Sequence, residues 1–533
     1  MSNLGFQLVY DQINSHPDLV CERIFLPDTG GRPLSVESSR PLSDFPVLFV
    51  ALSFEQNLPD LLSMLLLAGI EPLAEQRRNL KIAPGSPLLI GGGVACFINP
   101  EPLAPFAEAI LVGEAEELLP PLLGKLLGAP ERSALLAELV GLPGCYVPEY
   151  YDFAFEPNGM LTEITARGGA PKRVRRLALS DCEQAGHSRL LSPAAEFADL
   201  FLVELGRGCS RACRFCAAGF VYRPPRLWSA AAINRALDQR PVGINRVGLL
   251  GMEMARPDDL QEVAERLLAE GCRLSFSSLR ADALTPELLR LLAGSGLKTV
   301  AIAPDGGSER LRRVINKGIS REDVLQAASR LVTAGIVNLK LYFMIGLPTE
   351  TEDDLAEMLA LIKDVREIML APGRSRGRLA NLTLSINPLV PKAWTPLQYH
   401  AFVAPLELKK KMVFLRRGLG GIANLKIMGE KPENAYLQAV LARGDRRLAP
   451  ALIAYAHRGG NWQQVFRGQG VAPEQFALRQ RDRDELLPWE IIDQGMEHGY
   501  LWSEYQKALA ARTSPVCDVS RCRRCGICGD ENR

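Results

Sequence analysis

Residues Val203–Arg226 read VELGRGCSRACRFCAAGFVYRPPR, and this stretch decides the architecture around it. The apolar run Asp199–Glu204 predicts a short strand. Directly after it, Cys209, Cys213 and Cys216 crowd one loop with the spacing C-x-x-x-C-x-x-C. Moving outward, the strand-then-helix pattern recurs six times. Strands are predicted at Asp199–Glu204, Arg246–Gly251, Arg273–Ser278, Thr299–Ala303, Leu339–Ile345 and Asn381–Ile386. Helices are predicted over residues 229–239, 257–270, 285–293, 308–316, 320–334 and 352–370. Parallel strands joined by right-handed helical crossovers curl into a barrel. Six units are fewer than the eight that close one, so residues 195–404 are expected to form a partial (β/α)6 TIM-like barrel. Chemistry in such folds gathers at the C-terminal strand ends.

The flanking segments differ in pattern. Residues 1–145 alternate apolar runs (Arg23–Pro27, Val47–Ser53, Pro87–Gly91, Ala109–Gly113) with amphipathic stretches at Leu58–Leu67 and Glu114–Leu127. This predicts a doubly wound, Rossmann-like α/β domain. Glycines end its strands at Gly91–Gly93 and Gly113, either as plain turns or as points where a ligand meets the backbone. Residues 146–194 read as a linker with a basic stretch at Arg167–Arg176. Residues 405–515 read as mainly helical, and residues 516–533 as a Cys-rich module. The fold class is therefore α/β throughout the first two domains.

Composition excludes several classes. Of 533 residues, 47% are hydrophobic and 23% charged, the balance of a folded globular chain rather than a disordered one. Lys and Arg number 62 against 61 Asp and Glu, so no overall field favours nucleic acid or a membrane surface. No apolar run reaches the length of a membrane span, and no secretory signal opens the chain, so the expected compartment is the cytoplasm. In a reducing compartment, clustered cysteines bind metal more often than they form disulfides. Seven of the twelve cysteines fall in two groups, and Cys21, Cys96, Cys145, Cys182 and Cys272 are scattered as small hydrophobes.

Three thiolates on one loop suit three irons of a 4Fe-4S cubane, which normally takes four protein ligands. The fourth iron is then open to chelation by an amino and a carboxylate group. S-adenosylmethionine offers that pair next to a sulfonium, whose carbon–sulfur bond one electron can cleave. The cofactor supplies the radical chemistry and the barrel positions it. Phe215 can shield the cluster and offer its backbone to adenine. The second group, Cys517, Cys522, Cys525 and Cys528, provides four thiolates, which suit a second 4Fe-4S cluster or a structural zinc. The competing reading is a non-catalytic iron–sulfur or zinc protein for RNA binding or electron transfer.

The loop, its place after the first barrel strand and the stretches Gly91–Pro102, Val112–Glu117, Arg313–Gly318, Leu341–Thr351 and Arg443–Arg447 resemble the radical S-adenosylmethionine (radical SAM) superfamily. More narrowly they resemble a subfamily that joins a cobalamin-binding-like N-terminal domain to this core. The resemblance implies that Gly251, Met252 and Glu253 contact the methionyl amine, with Met252 replacing a glycine. It implies that Ser277 and Arg280 hold ribose and methionyl carboxylate, that Asp305 accepts a ribose hydroxyl, and that Ile345 and Gly346 line adenine. It implies methyl transfer, sulfur insertion or another C–H functionalisation. The scattered basic patches point to RNA or a ribosome-associated protein as the expected substrate. A reductant such as flavodoxin or ferredoxin is also implied. Cobalamin is a candidate cofactor, although no Asp-x-His ligand motif is present. The subfamily also carries more chain before this N-terminus and a domain after this tail, so a separate partner chain is expected.

Overall fold

The computed structural model describes residues 3–528 apart from 29, 129–130, 181, 252–255 and 376–379. The N-terminal sheet contains β1 (Val47–Ala51), β2 (Leu88–Gly92) and β3 (Ala109–Leu111) in parallel, with the short antiparallel β4 (Cys145–Tyr146) at its edge. The helices Ala115–Gly128 and Arg132–Leu139 cover one face through Leu119, Leu122, Leu135 and Leu139, all buried. A strand expected at Arg23–Pro27 does not form. Only Ile24 makes a bridge, to Ser35, so the segment runs without a ladder partner. The segment read as a linker carries an antiparallel hairpin, β5 (Tyr151–Phe155) with β6 (Leu161–Ala166), and then β7 (Val174–Arg175).

The central region holds β8 (Phe201–Glu204), a two-residue ladder of β9 (Gly206–Arg207) with β10 (Arg226–Leu227), and then β11 (Arg246–Leu250), β12 (Arg273–Phe276), β13 (Thr299–Asp305), β14 (Asn338–Ile345) and β15 (Asn381–Pro388). β8, β11 and β12 pair in parallel, as do β13, β14 and β15. A parallel bridge from Leu279 to Ile302 links the two groups, so the strands lie side by side in chain order. All six expected strands are present with small shifts. Asp199 sits at φ 57°, outside the β region, which delays the first strand to Phe201. A further parallel strand, β16 (Leu425–Met428), extends β15 inside a region read as helical. The last strand, β17 (Ile492–Asp493), pairs with β7.

The crossover helices begin where the sequence provides caps. Ser229, Thr285, Ser308 and Ser320 each accept a backbone N–H three residues on, and Ser320 with Asp323 completes a capping box. Strict alternation buries Leu339, Leu341, Phe343 and Ile345 of β14 on one face. Each such side chain contributes about 1.5–3 kcal/mol. The opposite face of β14 and β15 carries the half-buried Lys340, Tyr342, Thr383 and Ser385. No helix among the described residues is long and apolar enough to cross a membrane.

Candidate functional site

The cysteine loop is pinned at its base. β9 and β10 pair across it, Gly206 against Leu227 and Arg207 against Arg226. Gly208 sits at φ 85°, where a Cβ would lie 2.6 Å from the Tyr222 carbonyl oxygen, so only glycine fits this turn. Arg207 donates to Glu204 (3.0 Å), Glu114 (3.0 Å) and Glu116 (2.7 Å), and Arg226 donates to Glu114 at 2.5 Å. Burial opposes ionisation of Glu114, but the hydrogen bond and charge of Arg226, with Arg207, outweigh it and hold the carboxyl low. The VGEAEE stretch of the N-terminal domain therefore braces the base of the loop.

Within the loop, Cys216 N–H donates to the Cys213 carbonyl at 3.0 Å, and Gly219 N–H to that of Cys216 at 3.0 Å. Arg214 is fully buried beneath and donates to the carbonyls of Arg313 and Val314 and to Glu504. Burial pushes the Cys213 thiol up against the opposing charges of Lys317, Arg280 and Arg211. Burial, with Cys213 and Cys209 adding to it, pushes Cys216 up to about 12. The three thiols are thus mutual neighbours in a desolvated place faced by three cations. Among the described residues, no three His, Cys, Asp or Glu side chains close around a single-ion position.

The strand ends supply the other expected residues. Ser277 Oγ donates to the Gly251 carbonyl at 2.9 Å, tying the ends of β11 and β12. Met252 and Glu253 lie outside the described residues. Arg280 grips Asp282 through Nε and Nη2, both at 2.9 Å, and Nη2 also donates to the Lys317 carbonyl at 2.9 Å. Asp305 takes φ 61° at the end of β13 and pairs with Lys317 Nζ at 2.6 Å, both nearly buried. Burial would lower the Lys317 ammonium, but the Asp305 carboxylate outweighs it and holds it above the usual lysine range. Ile345 is fully buried on the helix-facing side, and Gly346 (φ 78°) donates its N–H to Glu350 at 3.0 Å. Phe215 is half-buried against the core. Sequence reasoning missed Lys317, Asn316 and Arg211. The RVINKG stretch was the available signal, but it carried no role.

The tail cysteines form a second neighbourhood. Burial and the Cys522 thiol push Cys517 up to about 11, and a hydrogen bond joins the two thiols. Burial and Cys525 push Cys528 up. At Cys522, burial is outweighed by Arg524, whose Nε lies 3.3 Å from the sulfur, and the thiol is lowered.

Three of the four glycines at the N-terminal strand ends, all but Gly92, are closed by the chain itself. A Cβ on Gly93 would lie 2.5 Å from the Leu52 carbonyl oxygen, one on Gly113 2.1 Å from that of Leu177, and one on Gly91 2.4 Å from the Leu103 side chain. Leu177 N–H donates to the Val112 carbonyl and Glu114 N–H to the Leu177 carbonyl, so the segment after β7 lies over Gly113. Gly91, Gly93 and Gly113 are therefore packed, while a Cβ on Gly92, the last residue of β2, would meet nothing closer than 4.0 Å.

Two family models match, "Radical SAM proteins, N-terminal" over residues 5–148 and "Radical SAM superfamily" over residues 203–362, and together they span more than half of the chain. The chain belongs to the radical SAM superfamily. It is a radical SAM enzyme working with a 4Fe-4S cluster and S-adenosylmethionine. The three-thiol loop has Lys317, Arg280 and Arg211 near it, paired with Asp305 and Asp282, and this net positive surrounding fits that anionic cluster. The chain is 27% identical over 424 residues to the uncharacterized protein MJ0966 of Methanocaldococcus jannaschii, covering 78% of this chain and 82% of the relative. It is 24% identical to a tRNA-2-methylthio-N(6)-dimethylallyladenosine synthase of Delftia acidovorans, over 46% of this chain and 60% of the relative. It is 23% identical to the ribosomal protein uS12 methylthiotransferase RimO of Caldanaerobacter subterraneus, over 34% of this chain and 44% of the relative. The match thus spans about half the length of these two relatives. Among solved structures, the radical SAM methyltransferase TsrM of Kitasatospora setae with cobalamin and a 4Fe-4S cluster is similar, with TM-score 0.42 and 12% identity over 81% of this chain and 87% of TsrM.

Proposed function

We propose that this radical SAM enzyme functionalises a C–H bond of an RNA or a ribosome-associated protein, by methyl or methylthio transfer. The observation that carries the reading is the three-cysteine loop after β8, with Lys317, Arg280 and Arg211 near its thiols. Cys517, the tail cysteine whose backbone meets the loop, turns its thiol to Cys522. When bound, the cluster and S-adenosylmethionine supply reductive cleavage of the sulfonium and hydrogen abstraction from an unactivated carbon.

The chain's own residues do the rest. Cys209, Cys213 and Cys216 hold the cluster, and Lys317 with Arg280 places positive charge beside it. Arg280 adds positive charge for the methionyl carboxylate, its Nε–Nη2 edge being held by Asp282. Gly251 and Ser277 present a joined edge to the methionyl and ribose groups, with Asp305 beside them. The half-buried Lys340, Tyr342, Thr383 and Ser385 provide polar partners along β14 and β15 for a substrate larger than the cofactor. RNA and ribosomal protein are favoured because the curated relatives of the core are named for tRNA and uS12. The non-catalytic alternative draws no support from these relatives.

The test supplies protein reconstituted anaerobically with a reductant, S-adenosylmethionine labelled on its methyl group, and bulk RNA or ribosomal protein from cells lacking the gene. The expected result is 5′-deoxyadenosine together with label in one acceptor. Formation of 5′-deoxyadenosine with label in neither RNA nor protein would overturn the substrate class.

A further inference from the structure

The two cysteine groups, far apart in sequence, meet in space along three lines. Cys517 N–H donates to the Ser210 carbonyl at 2.8 Å, and Ser210 directly follows Cys209. Ser514 N–H donates to Asn316 Oδ1 at 2.8 Å, and Asn316 Nδ2 donates to the carbonyls of Arg211 (3.2 Å) and Ala212 (3.3 Å). Arg223 donates to the Gly219 carbonyl at 2.9 Å and the Tyr500 hydroxyl at 3.0 Å, and hydrogen-bonds the Cys525 thiol. The tail therefore lies on the outer side of the loop, with a backbone hydrogen bond between a residue of one cysteine group and the neighbour of a residue of the other.

The tail is also polarised. Cys525 is buried towards Arg223, while Cys522 and Cys528 are partly exposed, and Arg521 and Arg523 on either side of Cys522 are exposed. An electron path requires that the two cysteine groups lie close together, and an exposed, positively charged outer edge suits the docking of an acidic carrier.

We propose that the four tail cysteines hold an iron–sulfur cluster that receives electrons at the Arg521–Arg523 face from an acidic one-electron carrier protein and passes them to the loop cluster. The proposal rests on the radical SAM reading of the loop. The carrier is oxidised by one electron, the loop cluster is reduced by one, and the tail cluster returns to its starting state. No bond, proton or leaving group moves in the transfer. Four thiolates close the tail cluster to substrate, which suits a relay.

The test uses the full chain, reconstituted anaerobically with S-adenosylmethionine and mixed with either reduced flavodoxin or titanium(III) citrate. Freeze-quench paramagnetic resonance follows the loop-cluster signal that responds to S-adenosylmethionine. The wild-type chain is expected to hold about eight irons and a Cys522→Ser/Cys525→Ser variant about four. Titanium(III) is expected to reduce the loop in both. With flavodoxin, the double variant and an Arg521→Glu/Arg523→Glu variant are each expected to be about tenfold slower, equivalent to about 1.4 kcal/mol on the transfer barrier. The charge reversal alters only exposed side chains and decides the matter if the double variant fails to fold. Equal flavodoxin rates in either variant, or zinc in place of iron in the wild-type tail, would overturn the relay. The loop reading stands or falls separately, on whether Cys213→Ala removes the S-adenosylmethionine-responsive signal.

Discussion

The loop and tail cysteines are built on opposite plans. The loop borrows its rigidity from its surroundings: a strand before it, a ladder at its base, and the buried Arg214 beneath it. Its thiols are desolvated, and Cys216 is pushed up to about 12. The tail brings its thiols near one another within a short segment and sets Arg524 beside Cys522 to lower that thiol. The difference teaches that the loop is held in shape by distant segments, whereas the tail cysteines act mainly on one another and on Arg524.

The largest expected contrast is in catalysis. Cys213→Ala should lower 5′-deoxyadenosine formation to background, while Cys522→Ala retains it under a small-molecule reductant, both followed by chromatography. Equal losses would erase the distinction. Thiol chemistry in the metal-free chain gives the next contrast. A thiol alkylates as its thiolate, so a lowered pKa starts the reaction at lower pH and a raised one delays it. Cys522 should react with iodoacetamide below the ordinary thiol range, while Cys216 reacts only as the pH approaches 12. At pH 8 Cys522 should be alkylated well before Cys216, read by peptide mass spectrometry.

The third contrast lies in support. Asp305→Asn leaves Lys317 without its carboxylate in a nearly buried place and should destabilise the chain by about 3–5 kcal/mol, measured by denaturant unfolding. The smallest lies at the junction of the two groups. Ser514 Oγ donates to Glu504 at 2.8 Å, and Ser514→Ala should weaken tail docking by about 1.5 kcal/mol. Faster proteolysis of the tail without a change in loop iron would confirm it.

Much of this plan was legible in the sequence because it is local. Period-two and period-3.6 patterns place the six strands and their helices, and the cysteine spacing marks both groups. What escaped was set by contacts between distant segments. β16 gains its place from pairing with β15, not from its own four residues. Arg23–Pro27 has a strand's composition but no partner along its length. In the sequence the glycines at 91, 93 and 113 read as either turns or ligand approaches, and only the packing of Leu103, Leu52 and Leu177 against them decides for closed positions. Lys317 could be matched with Asp305 only after the left-handed turn at Asn316 (φ 53°) and that at Asp305 brought them together. The docking of Ser514 and Cys517 on the loop has no local signature at all.

That docking has a consequence for how the protein is made. Residues 504–517, which hold Arg214, Asn316 and Ser210, leave the ribosome roughly 300 residues after the loop, a delay on the order of 15–60 seconds at usual elongation rates. During that interval the nascent loop lacks its outer wall, and Cys209, Cys213 and Cys216 are open to oxidation or to the wrong metal. Iron delivery must therefore wait for the finished polypeptide.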